Sequence, residues 1–242
     1  MNRHFQNKIA LIMALIIATI IITTTITYSD PAGTQITFNR TEEGASSPAE
    51  SSTANGGTFT TMVLNLTQQT PRWKAYVGNV SGSFTLSDSE AATIYDWAYA
   101  STGGEVYVSR DNSPQWGSIE CAQSGLISNE ETYLNISSTS VDSISNTFNN
   151  TVHKEFWVGS TRIPNSTCPA IATYVNSQPQ SNGELADFQE ILLDDTSSII
   201  YASLISQDTI GFDGNLYDFQ LIVPEDEYSS TPTTYYFWVE LS

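Results

Sequence analysis

The sequence ATIYDWAYASTGGEVYVSR, residues 92–110, contains two runs in which aromatic or β-branched residues alternate with small or polar ones. Alternation with a period of two places successive side chains on opposite faces of a β-strand. Gly103 and Gly104 separate the runs, and glycine adopts the backbone angles of a tight turn without strain. The stretch therefore predicts two strands, over residues 92–99 and 105–110, joined in a β-meander.

Strand-like runs of the same kind occur on both sides of this stretch, with Gly, Pro, Asn or Asp turns about every eight to twelve positions. Regularly spaced short strands are typical of an all-β fold. We predict a single β-sandwich over residues 58–242, immunoglobulin-like in general architecture. The other predicted strands cover residues 58–66, 72–77 and 80–86 on either side of a turn at 78–79, 116–121, 155–159, 188–193, 199–205, 216–223 and 235–241.

One segment between the strands has the spacing of a helix. Val141, Ile144 and Phe148 lie at positions i, i+3 and i+7, and Ser140 precedes them as a candidate N-cap. The sequence therefore predicts one short inserted helix over residues 140–148.

The chain contains two cysteines, Cys121 and Cys168. In an oxidising compartment an isolated pair most simply forms a disulfide, whereas a metal site needs further ligands of this type. We therefore predict a disulfide that closes the chain around the inserted helix.

Residues 1–29 have the organisation of an export signal. Arg3 and Lys8 precede an apolar run over residues 9–22, and a polar exit follows. If the run extends through residue 26, it has about 18 residues and is long enough to cross a membrane as a helix. The segment is therefore predicted to be a cleaved signal peptide or a retained membrane anchor. Both alternatives place the rest of the chain outside the cytoplasm, at the cell surface or beyond it.

Residues 30–57 are rich in Ser, Thr, Ala, Gly and Glu, and they carry too little apolar surface to fold. They predict a flexible segment. Within it, residues 34–38 (TQITF) alternate like a short strand, which would pair with the sheet edge of a neighbouring subunit through Ile36 and Phe38. The same alternation also arises by chance in a linker, so both interpretations stay open.

The charge of the chain is strongly negative, with 8 basic and 26 acidic residues. Two of the basic residues, Arg3 and Lys8, precede the apolar run, so the exported part is still more acidic. Such a field repels nucleic acid and anionic lipid, which are therefore poor partners, and it keeps an exported protein soluble. Contact with a membrane is predicted only through residues 9–26.

The sequence contains no nucleophile elbow, zinc-protease motif or glycine-rich phosphate loop. His153 is the only histidine after the apolar run. Without a nucleophile motif to pair with, it is predicted to be a solvated loop residue. The acidic residues are predicted to form a solvated surface rather than a catalytic pair. The chain is therefore predicted not to be an enzyme, and no catalytic or cofactor-binding residue is assigned.

Calcium is the one metal that the sequence suggests. Asp208, Asp213 and Asn215 offer carboxylate and amide oxygens on a loop, and calcium prefers ligands of this kind. The spacing of an EF-hand is absent, so these three residues are candidates without a recognisable motif. No other cofactor is predicted.

Six Asn-x-Ser/Thr sequons follow the apolar run. Outside the cytoplasm such asparagines can carry glycans, which would shield a surface protein. Two of them, Asn65 and Asn79, fall in predicted β segments, where modification would be hindered. The candidates are Asn39, Asn65, Asn79, Asn135, Asn149 and Asn165.

A longer pattern extends over about residues 62–125 and consists of RW at 72–73, YVGNVSG at 76–82, YDW at 95–97, EVY at 105–107 and WxxIxC at 116–121. This pattern resembles a group of exported archaeal cell-surface proteins. The resemblance implies an archaeal envelope or extracellular location and a β-rich sandwich fold. It carries no catalytic residues.

These observations predict an extracellular structural or interaction protein of an archaeal cell surface, whose partners are other copies of itself or other surface proteins. The first hypothesis is a filament subunit that assembles by β-strand donation. The second is a membrane-anchored, adhesin-like module that binds glycan through exposed aromatic residues, and burial of the five tryptophans would disfavour it. The third is a pilin-like subunit that retains its apolar helix, although no glycine follows the charged segment.

Overall fold

The computed structural model describes residues 30–45, 48–98 and 103–242, which form a mostly β protein with several antiparallel sheets. Residues 1–29, with the predicted export signal and its apolar helix, lie outside the described residues. None of the helices within the described ranges has the length and hydropathy of a membrane span.

The elements follow one another along the chain in an order dominated by short strands. They are β1 (Ala32–Gly33), β2 (Trp73–Gly78), β3 (Ser83–Ser87), β4 (Thr93–Ala98), β5 (Gly104–Ser109), a 3₁₀ turn (Trp116–Ser118), β6 (Glu120–Cys121), α1 (Ser124–Tyr133), α2 (Ile144–Thr147), β7 (Phe156–Val158), β8 (Thr161–Ile163), β9 (Ala170–Ala172), β10 (Gln189–Asp194), β11 (Ile199–Leu204), β12 (Thr209–Ile210), β13 (Leu216–Tyr217), β14 (Phe219–Pro224) and β15 (Tyr236–Leu241).

The main sheet is built around β10 and β11. Their sequences, QEILLD and IIYASL, are rich in apolar residues, and both strands are buried along their whole length, as expected for strands covered on both faces. The strand order is β1-β15-β5-β11-β10-β6, with β9 also paired to β10, and these pairs are antiparallel. The strands predicted in the last quarter of the chain are confirmed as β10, β11, β13 with β14, and β15.

Both faces of the main sheet are covered. On one face, Tyr107 and Ile200 pack with Phe156 of β7. On the opposite face, Tyr201 packs with Leu221 of β14, which pairs with β2, and the two helices lie on this side as well. The covering elements leave β15 and β1 at one edge of the sheet.

Two side chains of the main sheet bind the backbone of β14. Ser203 Oγ donates to Gln220 O, and Ile222 N donates to Glu190 Oε2, each at 2.9 Å. Glu190 is fully buried, and burial raises the pKa of its carboxyl well above the ordinary value. At these positions the inner side of β14 is therefore bound by side chains of the neighbouring sheet.

The predicted meander is wrong in its pairing. β4 pairs with β3, whereas β5 pairs with β11 and β15. β5 is buried along nearly all of its length and β3 is exposed along all of its length. A strand buried on both faces is stabilised in the interior of a sheet, so β5 lies between two long strands from distant parts of the chain.

The strand predicted over residues 58–66 is not formed. These residues belong to no strand of the described structure, and they are exposed. Side-chain type alone predicts a strand here, but a strand forms only where its backbone groups find a partner. The segment therefore has the composition of a strand but pairs with no sheet in the described structure.

The inserted helix is confirmed, but it is shorter than predicted and has another N-cap. It is α2, and Ser143 Oγ accepts a hydrogen bond from Asn146 N at 3.1 Å. Ser140 lies before this cap, where its Oγ accepts from Arg72. The sequence pattern does not predict α1, because SGLISNEETY carries only a weak apolar stripe.

The predicted disulfide Cys121–Cys168 is present, with its Cα atoms 4.8 Å apart. Cys121 ends β6 and pairs with Leu193 of β10, while Ala170 of β9 pairs with Ile191 of the same strand. Because β11 occupies the other edge of β10, both short strands share one edge. The bridge therefore connects β6 to the segment that enters β9.

Candidate assembly surface

β15 is the strand at which the main sheet meets the N-terminal segment. One of its edges pairs with β5 from Tyr236 to Leu241. Trp238 packs edge-to-face on Trp116, with ring centroids 5.5 Å apart, and Trp116 also contacts Tyr107 at 5.3 Å between centroids. β15 is therefore held by one full edge and by an aromatic cluster on one face.

Among the described residues, the second edge of β15 pairs only with β1, a strand of two residues. β1 pairs with Val239 and Trp238, and Thr34 N donates to Phe237 O at 3.2 Å. An uncovered sheet edge presents backbone donors and acceptors that pair readily with another chain. A two-residue strand gives such an edge little protection.

Residues 34–38, considered for a donated strand, form no strand in the single chain, and their pairing with a second copy stays a prediction. Pairing is made by residues 32–33 and ends near Thr34, so Ile36 and Phe38 are 62% and 80% exposed. Beyond Thr34 the chain leaves the sheet edge, because its next apolar side chains find no core there. A groove of about 320 Å³ opens at this point, lined among others by Gly33, Thr34, Ile36, Tyr236 and Trp238.

Two buried carboxyl groups lie next to the β1 pairing. Glu240 of β15 is opposite Glu105 of β5, and Glu240 accepts hydrogen bonds from Gly159 N at 3.0 and 3.1 Å and from Tyr107 OH at 3.2 Å. Burial, reinforced by the charge of Glu240, raises the pKa of Glu105 well above its ordinary value. Burial also raises the pKa of Glu240, with a smaller contribution from the charge of Asp30. The pair is therefore most stable when it is protonated.

Replacing Glu105 by Gln is expected to stabilise the protein at neutral pH. Because the folded-state pKa values of Glu105 and Glu240 are raised, their contribution to stability is complete below about pH 4.5 and is lost as the pH rises through those values. Glu105→Gln removes one charge from the pair, so we expect the free energy of unfolding at pH 8 to rise by about 1 kcal/mol. Urea unfolding between pH 5 and pH 8 measures this effect.

The matched control for this prediction is Glu90→Gln at an exposed position. It removes the same charge from the protein without touching the buried pair. A Glu105→Gln protein whose stability falls with pH as steeply as that of the parent and of the control contradicts the interpretation.

His153 is fully buried, so its prediction as a solvated residue is wrong. Its Nε2 accepts hydrogen bonds from the backbone N–H groups of Thr167, at 3.1 Å, and Cys168, at 3.0 Å. Its Nδ1 donates to Lys154 O at 2.7 Å, and burial lowers the pKa of the imidazole. Nε2 of the neutral side chain thus holds the loop that carries Cys168, while Nδ1 binds the backbone next to His153.

Of the loop oxygens considered for calcium, both carboxylate oxygens of Asp213 are engaged within the loop. Asp213 accepts hydrogen bonds from Asn215 N and from Tyr217 OH, both at 3.0 Å. Asp208 N donates to Asp218 Oδ1 at 2.9 Å. In the part of the chain that the structure describes, no group of three or more His, Cys, Asp or Glu side chains is arranged to hold a metal ion.

The six sequon asparagines are all exposed, including Asn65 and Asn79, for which the sequence predicts hindrance. Asn79 follows directly after β2, and Asn65 lies in the segment that forms no strand. The geometry is compatible with N-linked glycans at every one of these sites, and glycosylation stays a prediction.

The five tryptophans do not share one surface. Trp238 is buried, Trp73, Trp116 and Trp157 are half-buried, and Trp97 is 50% exposed on β4. Four of them therefore contribute to packing, which gives the glycan-binding hypothesis no common tryptophan platform. Trp97 belongs to a different exposed surface, the β3–β4 hairpin.

Comparison of the chain with models of protein families, with curated proteins and with solved structures identified no match. Its function is therefore inferred from the residues and contacts described above.

Proposed function

We propose that the chain is an exported structural subunit of a cell surface, whose copies assemble by exchanging the N-terminal strand. One observation carries the proposal: in the part of the chain that the structure describes, the second edge of β15 is covered only by the two residues of β1. In the assembled form, residues 30–38 of one copy pair with β15 of the next. The apolar run over residues 9–26 delivers the chain through the membrane, either as a cleaved signal or as an anchor.

The chemistry of the N-terminal segment supports strand exchange. Residues 34–45 are exposed and contain no strand, so the segment reaches away from the sheet without losing a core of its own. Exchange of an identical element between copies replaces each contact by the same contact and costs little free energy. Pairing beyond Thr34 would add Ile36 and Phe38, which are exposed in the single chain, to the interface.

The rest of the molecule is consistent with work outside the cytoplasm. The Cys121–Cys168 bridge requires an oxidising compartment, and six exposed sequons and a strongly acidic composition suit a hydrated surface. We further infer that the main sheet and the β2–β14 pair are the two layers of an immunoglobulin-like sandwich. Such a domain presents sheet edges to its neighbours while its core stays closed.

Cross-linking of mixed chains tests the exchange. One full-length chain carries Ala32→Cys and the other Val239→Cys, two positions that are opposite each other in the β1–β15 pair. After assembly together and treatment with a short bismaleimide, we expect a product with the mass of two chains. A mixture of Val141→Cys with Val239→Cys is the control, because Val141 is 93% exposed and lies outside the pair. A third sample is one chain that carries both Ala32→Cys and Val239→Cys. If this chain cross-links only within itself and the mixture gives no two-chain product, the exchange is refuted.

Deletion of residues 34–38 provides the second measurement. The deletion shortens the exchanged segment and removes Ile36 and Phe38, so we expect oligomers of the full-length chain to disappear in light scattering. The thermal unfolding midpoint of the chain is expected to stay within a few degrees, because the deleted side chains are exposed. Oligomers of normal size from the deleted chain would sink the proposal.

A further inference from the structure

The β3–β4 hairpin presents an apolar surface to solvent. Leu86 and Tyr95 are opposite each other in this hairpin, and Trp97 lies two residues beyond Tyr95, so the three side chains share one face. They are 56%, 59% and 50% exposed, although such side chains are ordinarily buried. Tyr95 and Trp97 contact each other with ring centroids 4.9 Å apart, which leaves their outer surfaces in water.

A two-stranded hairpin is marginally stable by itself in water. A third strand or a covering layer is ordinarily needed, and the covered side is the apolar one. All five residues of β3 are exposed, and within the described residues β3 and β4 form a sheet of two strands. The hairpin therefore has the properties of a sheet that is one strand short.

Residues 59–66 (FTTMVLNL) have the complementary properties. Phe59, Met62, Val63, Leu64 and Leu66 are between 52% and 93% exposed, and the segment belongs to no strand of the described ranges. Met62, Leu64 and Leu66 recur with a period of two, so an extended backbone places them on one face. The segment therefore has the composition of a strand but pairs with no sheet edge in the described ranges. The hairpin has sheet edges but no third strand in those ranges.

Charge also favours a contact between copies at this segment. The chain carries 26 acidic residues, yet residues 51–71 contain no charged side chain at all. Two copies of so acidic a protein repel each other at most surfaces, and a neutral apolar strand is the part that approaches another copy at the lowest electrostatic cost.

We infer that residues 59–66 of one copy pair with the β3–β4 hairpin of a second copy, completing a three-stranded sheet in which Leu64 packs on the face formed by Leu86, Tyr95 and Trp97. In the single chain the segment and the hairpin are both exposed, so the missing contacts are supplied by another chain. This second interface rests on the proposed self-assembly, but it uses neither β1 nor β15.

A peptide of residues 57–67 with a fluorescent label tests the contact on the full-length protein. We expect saturable binding in fluorescence anisotropy, together with a change in Trp97 emission. The peptide with Leu64→Glu is expected to bind at least tenfold more weakly, because a carboxylate would enter an apolar contact. The matched peptide with Thr61→Glu carries the same charge on the other face and is expected to bind within twofold of the parent.

The protein side has its own pair of variants. Leu86→Glu is expected to abolish peptide binding, whereas Thr85→Glu, on the opposite face of β3, keeps it. Circular dichroism and thermal unfolding of both variants show whether the fold is kept. If Leu86→Glu unfolds, mixed full-length chains with Leu64→Cys and Tyr95→Cys are cross-linked instead, and a two-chain product is expected, because Tyr95 is opposite Leu86 on the proposed contact face.

Three results would overturn the inference. The first is no binding of the parent peptide, and the second is an equal loss with Leu64→Glu and Thr61→Glu, which would reflect charge alone. The third is binding of phosphatidylcholine vesicles through Leu86 in place of the peptide, which would assign the face to a membrane. If the peptide does not bind but the cross-link between positions 32 and 239 forms, the strand exchange stands and this interface is refuted. If the peptide binds but the cross-link does not form, this interface stands and the strand exchange is refuted.

Discussion

Replacing both Cys121 and Cys168 by alanine is expected to lower the free energy of unfolding by about 4 kcal/mol. The bridge joins residues 47 apart in the chain, and a cross-link of this span removes much of the conformational freedom of the unfolded chain. The native structure also depends on it locally. β6 pairs with β10 over two residues and β9 over three, so neither strand has the length to hold the edge of β10 alone.

Urea unfolding of the full-length parent and of the double variant measures this loss. Reduction of the parent is expected to reproduce the effect, whereas the double variant is expected to be insensitive to the reductant. A difference below about 1 kcal/mol would mean that the segment between the cysteines is held by its own packing, and that the bridge has little effect on the unfolded chain.

Replacing His153 by Leu is expected to destabilise the protein by about 3 kcal/mol. Leucine has a similar volume but accepts no hydrogen bond, so the backbone N–H groups of Thr167 and Cys168 lose their buried partner. The carbonyl of Lys154 loses its donor at the same time. Lys154→Ala is the matched control, because its exposed side chain makes no such contact with the loop.

The pH dependence of this variant identifies the cause. Burial lowers the pKa of His153, so its contribution to stability is complete above the ordinary value of 6.5 and is lost as the pH falls through the folded-state value. The buried carboxyls act in the opposite direction, so the quantity to follow is the difference between parent and variant at each pH. We expect this difference to shrink between pH 7 and pH 5. A difference that is constant with pH would show that the imidazole acts through volume alone.

The sequence predicts those features of the fold that depend on local composition. β10, β11 and β15 are rich in apolar or aromatic residues, and a chain with two cysteines has one possible internal pairing. The partner of β5 does not follow from sequence, because alternation gives the faces of a strand and not its neighbours in a sheet. The burial of His153 depends on backbone donors from a loop that is 14 and 15 residues away, which no local pattern indicates.

At the candidate assembly surfaces, too, the sequence indicates which segments have strand composition but not which strands they pair with. Residues 34–38 and 58–66 have strand-like composition, and the sequence predicts a strand over 58–66 and either a donated strand or a chance alternation over 34–38. The structure forms neither strand: it pairs residues 32–33 with β15 and leaves residues 59–66 exposed. Composition reports the tendency to pair, whereas the position of a strand depends on which edge is within reach. An apolar segment that is predicted as a strand but stays exposed in the single chain is therefore informative. It indicates a contact that another chain would supply.

The position of β15 in the main sheet affects the order in which the protein is made. Thr34 and Phe237 are 203 residues apart, and the contact between Tyr107 and Glu240 spans 133. A ribosome must therefore synthesise nearly all of the 242 residues before β5 acquires its second neighbour. Sheets with such distant partners fold slowly, so we expect the main sheet to stay incomplete through most of translation. An unfolded chain is also the form that a narrow translocation channel accepts, so under the proposed export the late arrival of the closing strand would delay folding until passage is almost complete.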